Sequence, residues 1–257
     1  MAQLFEGVFN KSIIHETLFF NIKTVLEYPT LEKLKEKNES LFERWKFISK
    51  NKYNADSIES EKIYNENASY YPEYSRIVAI TYGNVYMENG ELKRTIKRYV
   101  SENEQEIVGN FIDMLQQLSI ESIQSNPQFF PILCGYNIIN YDLPLLIKRF
   151  LLHKKNLTTK ELPLIIKNIL NVKPWESGII DVINIWKFNG YDTTSLMLIS
   201  DFLGLKKTTN LLPANELSKY YWSNIQEKPK ETLDFVGLQS ATQTNLIIQL
   251  MNELRQL

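Results

Sequence analysis

At 257 residues, 44% of them hydrophobic, the chain can bury a sizeable core in one α/β domain carrying an insertion, which excludes wholesale disorder. Its 29 basic and 30 acidic residues leave a net charge of -1, so non-specific nucleic-acid binding would need a local patch. One cysteine, Cys134, excludes a disulfide framework, argues against a zinc cluster and fits a reducing cytoplasm; no export signal and no long apolar run points to a membrane.

Leu18 to Val25 is an apolar run of strand length, rich in the β-favouring Phe19, Phe20, Ile22 and Val25, and Pro29 closes it. From Leu31 to about Asn67 the composition turns charged and Asn-rich. Leu34, Leu41, Trp45 and Ile48 recur near helical spacing there, which predicts an insertion at 31–67 of one or two amphipathic helices covering the sheet. Arg76 to Tyr82 reads as a buried strand, Asn89-Gly90 as a hairpin turn, and Leu92 to Val100 as the returning strand. Asn103 to Leu118 has helical periodicity, with Ser101 available as a cap. Pro131 to Gly135 predicts a strand, and Asp142 to Leu152 an apolar helix with Pro144 in its first turn. Ile179 to Ile185 predicts a last strand, Thr194 to Leu203 a short helix ended by Gly204, and Glu231 to Leu254 a C-terminal helix. The order βββαβαβαα puts a hairpin first and crossover strands after it. It predicts a single domain over 1–257: a ribonuclease-H-like three-layer α/β fold, with a five-stranded mixed sheet and helices on both faces.

With those elements placed, the chain resembles the 3′–5′ exonucleases related to the proofreading domain of family-B DNA polymerases, within the DEDD superfamily. The likeness runs from Leu18 to about Leu254. It rests on the order and spacing of LFFNIKTV, ASYYPEYSRIVAIT, LCGYNIINYDLPLLIKRFLL, KPWESGIIDVINIWKF with TTSLMLISDFLGL, and ETLDFVGLQSATQTNLIIQL. The resemblance implies four acids holding two divalent ions, magnesium or manganese, which activate a water and stabilise the leaving oxygen of an in-line displacement. Carried onto this chain, the first two acids fall on Asn21 and Lys23. The third falls on Asp142, in the Asn-x-x-x-Tyr-Asp run that starts at Asn137, and the fourth on Gln239. The tyrosine that orients the attacking water falls on Phe235, which has no hydroxyl.

Charge counting reinforces the loss. Four packed carboxylates are tolerable only beside ions of total charge about +4. Here one carboxylate, Asp142, faces one ammonium, Lys23, and the two nearly cancel. The expectation is no metal cofactor, with Lys23 reaching into the old metal position to pair with Asp142. Lys23, Asn137 and Tyr141 then remain as candidate nucleic-acid-binding residues.

Three functions follow from these residues. The first is a pseudo-exonuclease that holds an end or single strand of DNA or RNA without cutting it. The second is a scaffold for a protein partner in a replication, repair, phage or defence assembly. The third is an active 3′–5′ DNA exonuclease with a metal site rebuilt from Asp181, Asp192, Asp201 or Asp234. Asp181 and Asp201 also read as caps or surface charges at element ends. His15 and His153 read as surface or capping groups, and Cys134, Trp175 and Trp186 as packing residues. Tyr70, Tyr71 and Tyr74 suit a stacking platform for single strands. Lys93-Arg94 and Lys97-Arg98 suit phosphates, or equally a solvated edge that discourages aggregation.

Overall fold

The computed structural model describes residues 13–53, 59–125, 131–172, 178–188, 190–191 and 194–256. Strand β1 (Thr17–Leu26) is buried along nearly its whole length, as its run of Leu, Phe, Ile and Val requires. It lies at the centre of a five-stranded sheet of order β3-β2-β1-β4-β5. Strands β2 (Ser75–Glu88) and β3 (Glu91–Val100) form an antiparallel hairpin closed by Asn89 and Gly90. Both turn residues have positive φ, 52° and 80°, which Asn and Gly tolerate best. Strands β4 (Ile132–Gly135) and β5 (Ile179–Asp181) add on the other side, parallel to β1 and to each other.

Side chains of β1 alternate between two helical layers. Leu18, Phe20 and Ile22 pack with α4 (Glu104–Ser125), α5 (Leu143–His153) and α6 (Leu164–Asn171). Phe19 and Val25 face α8 (Leu196–Phe202), α9 (Ala214–Asn224) and α10 (Pro229–Leu254). This is a mixed sheet between helices, the three-layer arrangement of the ribonuclease-H-like fold. The pairing of β1 with β2 slips between Lys23 and Thr24, where Val78 has no partner in the register. Such a bulge re-aims neighbouring side chains, and it falls beside the candidate site.

Three sequence expectations change. The insertion forms α1 (Leu31–Lys37), α2 (Glu39–Tyr53) and α3 (Glu59–Asn67), and it does not cover the sheet. Its apolar residues instead gather around the buried Trp45 with Leu26 and Tyr74, a small core at the end of β1. The strand expected over Ile179 to Ile185 stops at Asp181 and continues as α7 (Val182–Trp186). Its partner β4 ends at Gly135, so nothing remains for Val182 onward to pair with. Helices α6 and α9 lie in stretches where the sequence pattern predicted no element; Pro163 and Pro213 immediately precede them, which is a helix-start signal. The cap expected at Ser101 falls two residues later, on Asn103. Asn103 Oδ1 accepts from Gln105 N at 3.1 Å, while Ser101 Oγ accepts from Asn103 N at 3.0 Å and donates to Glu106 at 2.8 Å.

Candidate functional site

Beside the bulge between β1 and β2 opens a cleft of about 340 Å³, walled by the turn that leads into α5, by α8 and α9, and by the middle of α10. Lys23, Asp142, Asn137 and Tyr141 all line it, so the structure brings together four of the residues singled out from the sequence. Asn21, Gln239 and Phe235 do not line it.

Asn21 is fully buried on the face of β1 that meets α10. Its Nδ2 donates to Ser240 O at 2.9 Å and to Thr244 Oγ1, and its Oδ1 accepts from Ser240 Oγ at 3.1 Å. An aspartate here would set a carboxylate against a carbonyl oxygen; the amide fits because it donates. Gln239, also fully buried, is a clamp on the preceding loop. Its Oε1 accepts from Leu212 N at 2.8 Å and its Nε2 donates to Asn210 O at 2.7 Å. Phe235 packs against Tyr220, ring centroids 4.3 Å apart, in the cluster beneath α9.

The α10 residue that does reach the cleft is Gln243, one helical turn beyond Gln239. Lys23 Nζ donates to its Oε1 at 2.5 Å. The expected direct pairing of Lys23 with Asp142 is therefore corrected: no ion pair joins them among the described residues. Lys23 shares the face of β1 that carries Asn21 and meets α10, whereas the Asp142 carboxyl takes a hydrogen bond from the Ile22 backbone. Their charges still act on each other through space. Burial pulls the Lys23 ammonium down to about 8, and the Asp142 charge opposes that fall. Burial drives Asp142 well above the usual carboxylate range, against the Ile22 hydrogen bond and the Lys23 charge, with Asp181 pushing the same way as burial.

Asn137 and Tyr141 frame Asp142 on a π-helical turn, Ile138–Asp142. Asn137 holds φ 62° and its backbone N–H donates to Asp181 Oδ1 at 2.7 Å, with Ile139 N–H on Oδ2 at 3.1 Å. Asp181 thus caps this turn, as one of its two sequence readings anticipated. Tyr141 bonds Thr24 Oγ1 at 3.0 Å and Ser69 O at 2.9 Å, and burial pushes its phenol up to about 12. Of the three tyrosines proposed as a platform, Tyr71 and Tyr74 belong to the Trp45 core, 5.8 and 5.1 Å from that ring. Tyr70 alone is free for stacking, 65% exposed at the cleft rim.

The remaining candidates scatter. Asp201 is exposed and pairs with Lys207, and Asp234 is exposed on α10. Asp192 and Trp175 lie outside the described residues. His15 Nδ1 lies 3.3 Å from Val85 O, and His153 Nε2 lies 2.8 Å from Glu104. Cys134 is buried in β4, its thiol pushed far up by burial and by Asp181. Trp186 stacks loosely with Phe188 and Phe202, centroids 6.1 and 6.4 Å away.

A pair of divalent ions does not fit this donor set. Among the described residues no three His, Cys, Asp or Glu side chains gather into a metal-sized group. The cleft offers one carboxylate, Asp142, and the amides of Asn137 and Gln243, and the Lys23 ammonium holds the Gln243 oxygen. No protein-family model matches the chain, and no curated protein matches it. Among the described residues no helix is long and apolar enough to cross a membrane.

Proposed function

We propose that the chain is a catalytically degenerate 3′–5′ exonuclease-like protein that holds the end of a single nucleic-acid strand in this cleft without hydrolysing it. One observation carries the reading: Lys23 extends an ammonium into the cleft onto Gln243, where two-metal hydrolysis would require carboxylates. What remains suits binding. The exposed ring of Tyr70 offers a face to a base, the Lys23 ammonium a partner to a phosphate, and Asn137 and Tyr141 polar groups beside them.

The test uses a labelled single strand with a free 3′ end at roughly 50 and roughly 200 mM salt. Binding that weakens with salt, with no shortening of the strand in manganese, is the expected result. Shortening of the strand would establish a rebuilt metal site instead. No binding at the lower salt would leave the cleft to a protein partner. The degeneracy has its own test, restoration of Asn21→Asp, Lys23→Glu and Gln243→Asp together. Gln243 replaces Gln239 in that set because it is the side chain beside Lys23. Manganese-dependent trimming by the triple variant is expected, and trimming by the same triple made at Gln239 instead would refute this assignment of α10.

A further inference from the structure

Lys23 is set apart from other lysines of the chain by its surroundings. Lys33, Lys46, Lys93 and Lys148 each pair with a carboxylate at the surface. Lys23 instead lines the cleft and gives its hydrogen bond to the neutral amide oxygen of Gln243. Most of the cleft wall around it is apolar, with Ile22, Leu196, Met197, Leu211 and Leu217 contributing. The residue is half-buried, and the open space of about 340 Å³ lies beside it.

Such a setting disfavours the ammonium. Taking a charge out of water costs free energy, and a neutral amide offsets less of it than a carboxylate would. The titratable side chains that share the cleft are Asp142 and Tyr141 before α5, Tyr136 after β4, and Tyr70 after α3. The lining residues from α8, α9 and α10 carry no titratable group. Asp142 favours the ammonium, but burial outweighs it, in line with the fall of Lys23 to about 8. A desolvated lysine amine is a nucleophile toward carbonyl carbon. A purely structural lysine needs an acceptor such as Gln243, but neither an open cavity beside its amine nor a carboxyl in that cavity.

We infer that Lys23 is a carbonyl-binding lysine, whose amine condenses with an aldehyde entering the cleft to form an imine. The nitrogen lone pair attacks the carbonyl carbon, the C=O π pair moves to oxygen, and a proton passes from nitrogen to that oxygen. The lone pair of the resulting carbinolamine then expels the hydroxyl, which leaves as water with a proton from the Asp142 carboxyl. The iminium nitrogen returns a proton to Asp142. One amine and one aldehyde thus give one imine and one water, with no oxidant or reductant. Two sources offer this chemistry: a small free aldehyde, and the ring-opened sugar of an abasic nucleotide at a strand end. The first needs the cleft alone, and only the second rests on the strand-end reading.

Benzaldehyde with cyanoborohydride, which reduces an imine to a stable secondary amine, tests the full chain at about pH 7.5. Peptide mass spectrometry should find Lys23 labelled roughly tenfold or more faster than the exposed Lys155 and Lys230. Its rate should level off above about pH 8, while theirs keep rising toward about pH 10. Lys23→Arg should lose the fast phase of total labelling, with far-UV circular dichroism checking that the variant folds. Labelling of Lys23 no faster than Lys155, or a pH profile parallel to it, would overturn the inference. So would a fast phase that persists in Lys23→Arg. A single strand ending in a 3′ abasic nucleotide separates the two sources: its reductive cross-link to Lys23 assigns the strand aldehyde, and labelling by benzaldehyde alone assigns a free one. Salt-sensitive binding of an ordinary strand, without a Lys23 adduct from either aldehyde, would overturn this inference and leave the strand-end reading standing. A Lys23 adduct from benzaldehyde without strand binding would do the reverse.

Discussion

Lys23 is a positive charge held in a cleft with one hydrogen-bond acceptor and no close counter-ion, and its stability cost depends on pH. Its ammonium is depressed from 10.5 to about 8. Between those values the unfolded chain keeps the proton and the folded chain does not, so unfolding free energy rises with pH across that window. Below about 8 the contribution is lost. Allowing for partial exposure, the rise is on the order of 2 kcal/mol. Urea denaturation at about pH 7.5 and about pH 10 should show this rise in the parent and not in Lys23→Met. Parallel profiles would mean that the ammonium is solvated. Asn21 makes the complementary case. Its amide donates to Ser240 O, so Asn21→Asp alone sets a buried carboxylate against that carbonyl oxygen, even where the Thr244 hydroxyl turns to donate to it. A loss of about 2–4 kcal/mol is expected, and an unchanged melting temperature would show that α10 shifts to accommodate the acid.

At the scale of elements, two polar clamps set how the helices meet the sheet. Gln239 ties α10 to the loop that brings Leu211 and Leu212 into the cleft wall. Gln239→Ala should cost about 1–3 kcal/mol and quicken hydrogen exchange at Leu212, with α10 itself unaffected. The second clamp is Glu104 at the start of α4. It accepts from Ile77 N at 2.6 Å and from Arg149 Nε at 2.7 Å, while Arg149 Nη2 also reaches Glu27 at 3.0 Å. Burial pushes Glu104 up, but the hydrogen bonds from His153 and Arg149 outweigh it and hold the carboxyl below 4.5. Its stabilisation is therefore present above 4.5 and is lost as pH falls through the depressed value. Glu104→Gln should cost about 3–5 kcal/mol at neutral pH by leaving Arg149 buried and underpaired, and should flatten the acid limb of the stability profile. The sequence made the strands legible because β1, β2 and β4 are apolar runs and Asn89-Gly90 is a specific turn. The clamps were not legible, since the Glu104–Arg149 contact spans 45 residues and no local pattern announces it. Gln239 and Gln243 illustrate the limit. Both lie on nearly one stripe of α10, 40° apart around the axis, and only the packing decides which one meets Lys23.

For the whole molecule, the question is how far the insertion shares the stability of the sheet. Helices α1 to α3 bury Leu31, Leu34, Trp45 and Tyr64 mostly against one another, and reach the sheet through Leu26 and Tyr74 at the ends of β1 and β2. Their charged, Asn-rich sequence announced helices, but an amphipathic pattern does not say which surface its apolar stripe will meet. Trp45 is the keystone of that small core. It is fully buried, with Tyr64 and Tyr74 edge-on at 5.4 and 5.1 Å, and its indole N–H donates to Ser60 O at 3.3 Å. Trp45→Ala removes a large side chain whose neighbours are aromatic and cannot collapse far, at a cost of about 3–5 kcal/mol. The large clusters on both faces of β1 contain none of the insertion's residues. The loss should therefore melt α1 to α3 first, giving a low-temperature transition by circular dichroism while amides of β1 and β2 stay protected from exchange. The cleft should respond as well, because Tyr70 at its rim follows directly from α3. Strand-end binding by Trp45→Ala should therefore fall. A single transition lowered as a unit would instead mean that the insertion and the sheet fold as one cooperative body.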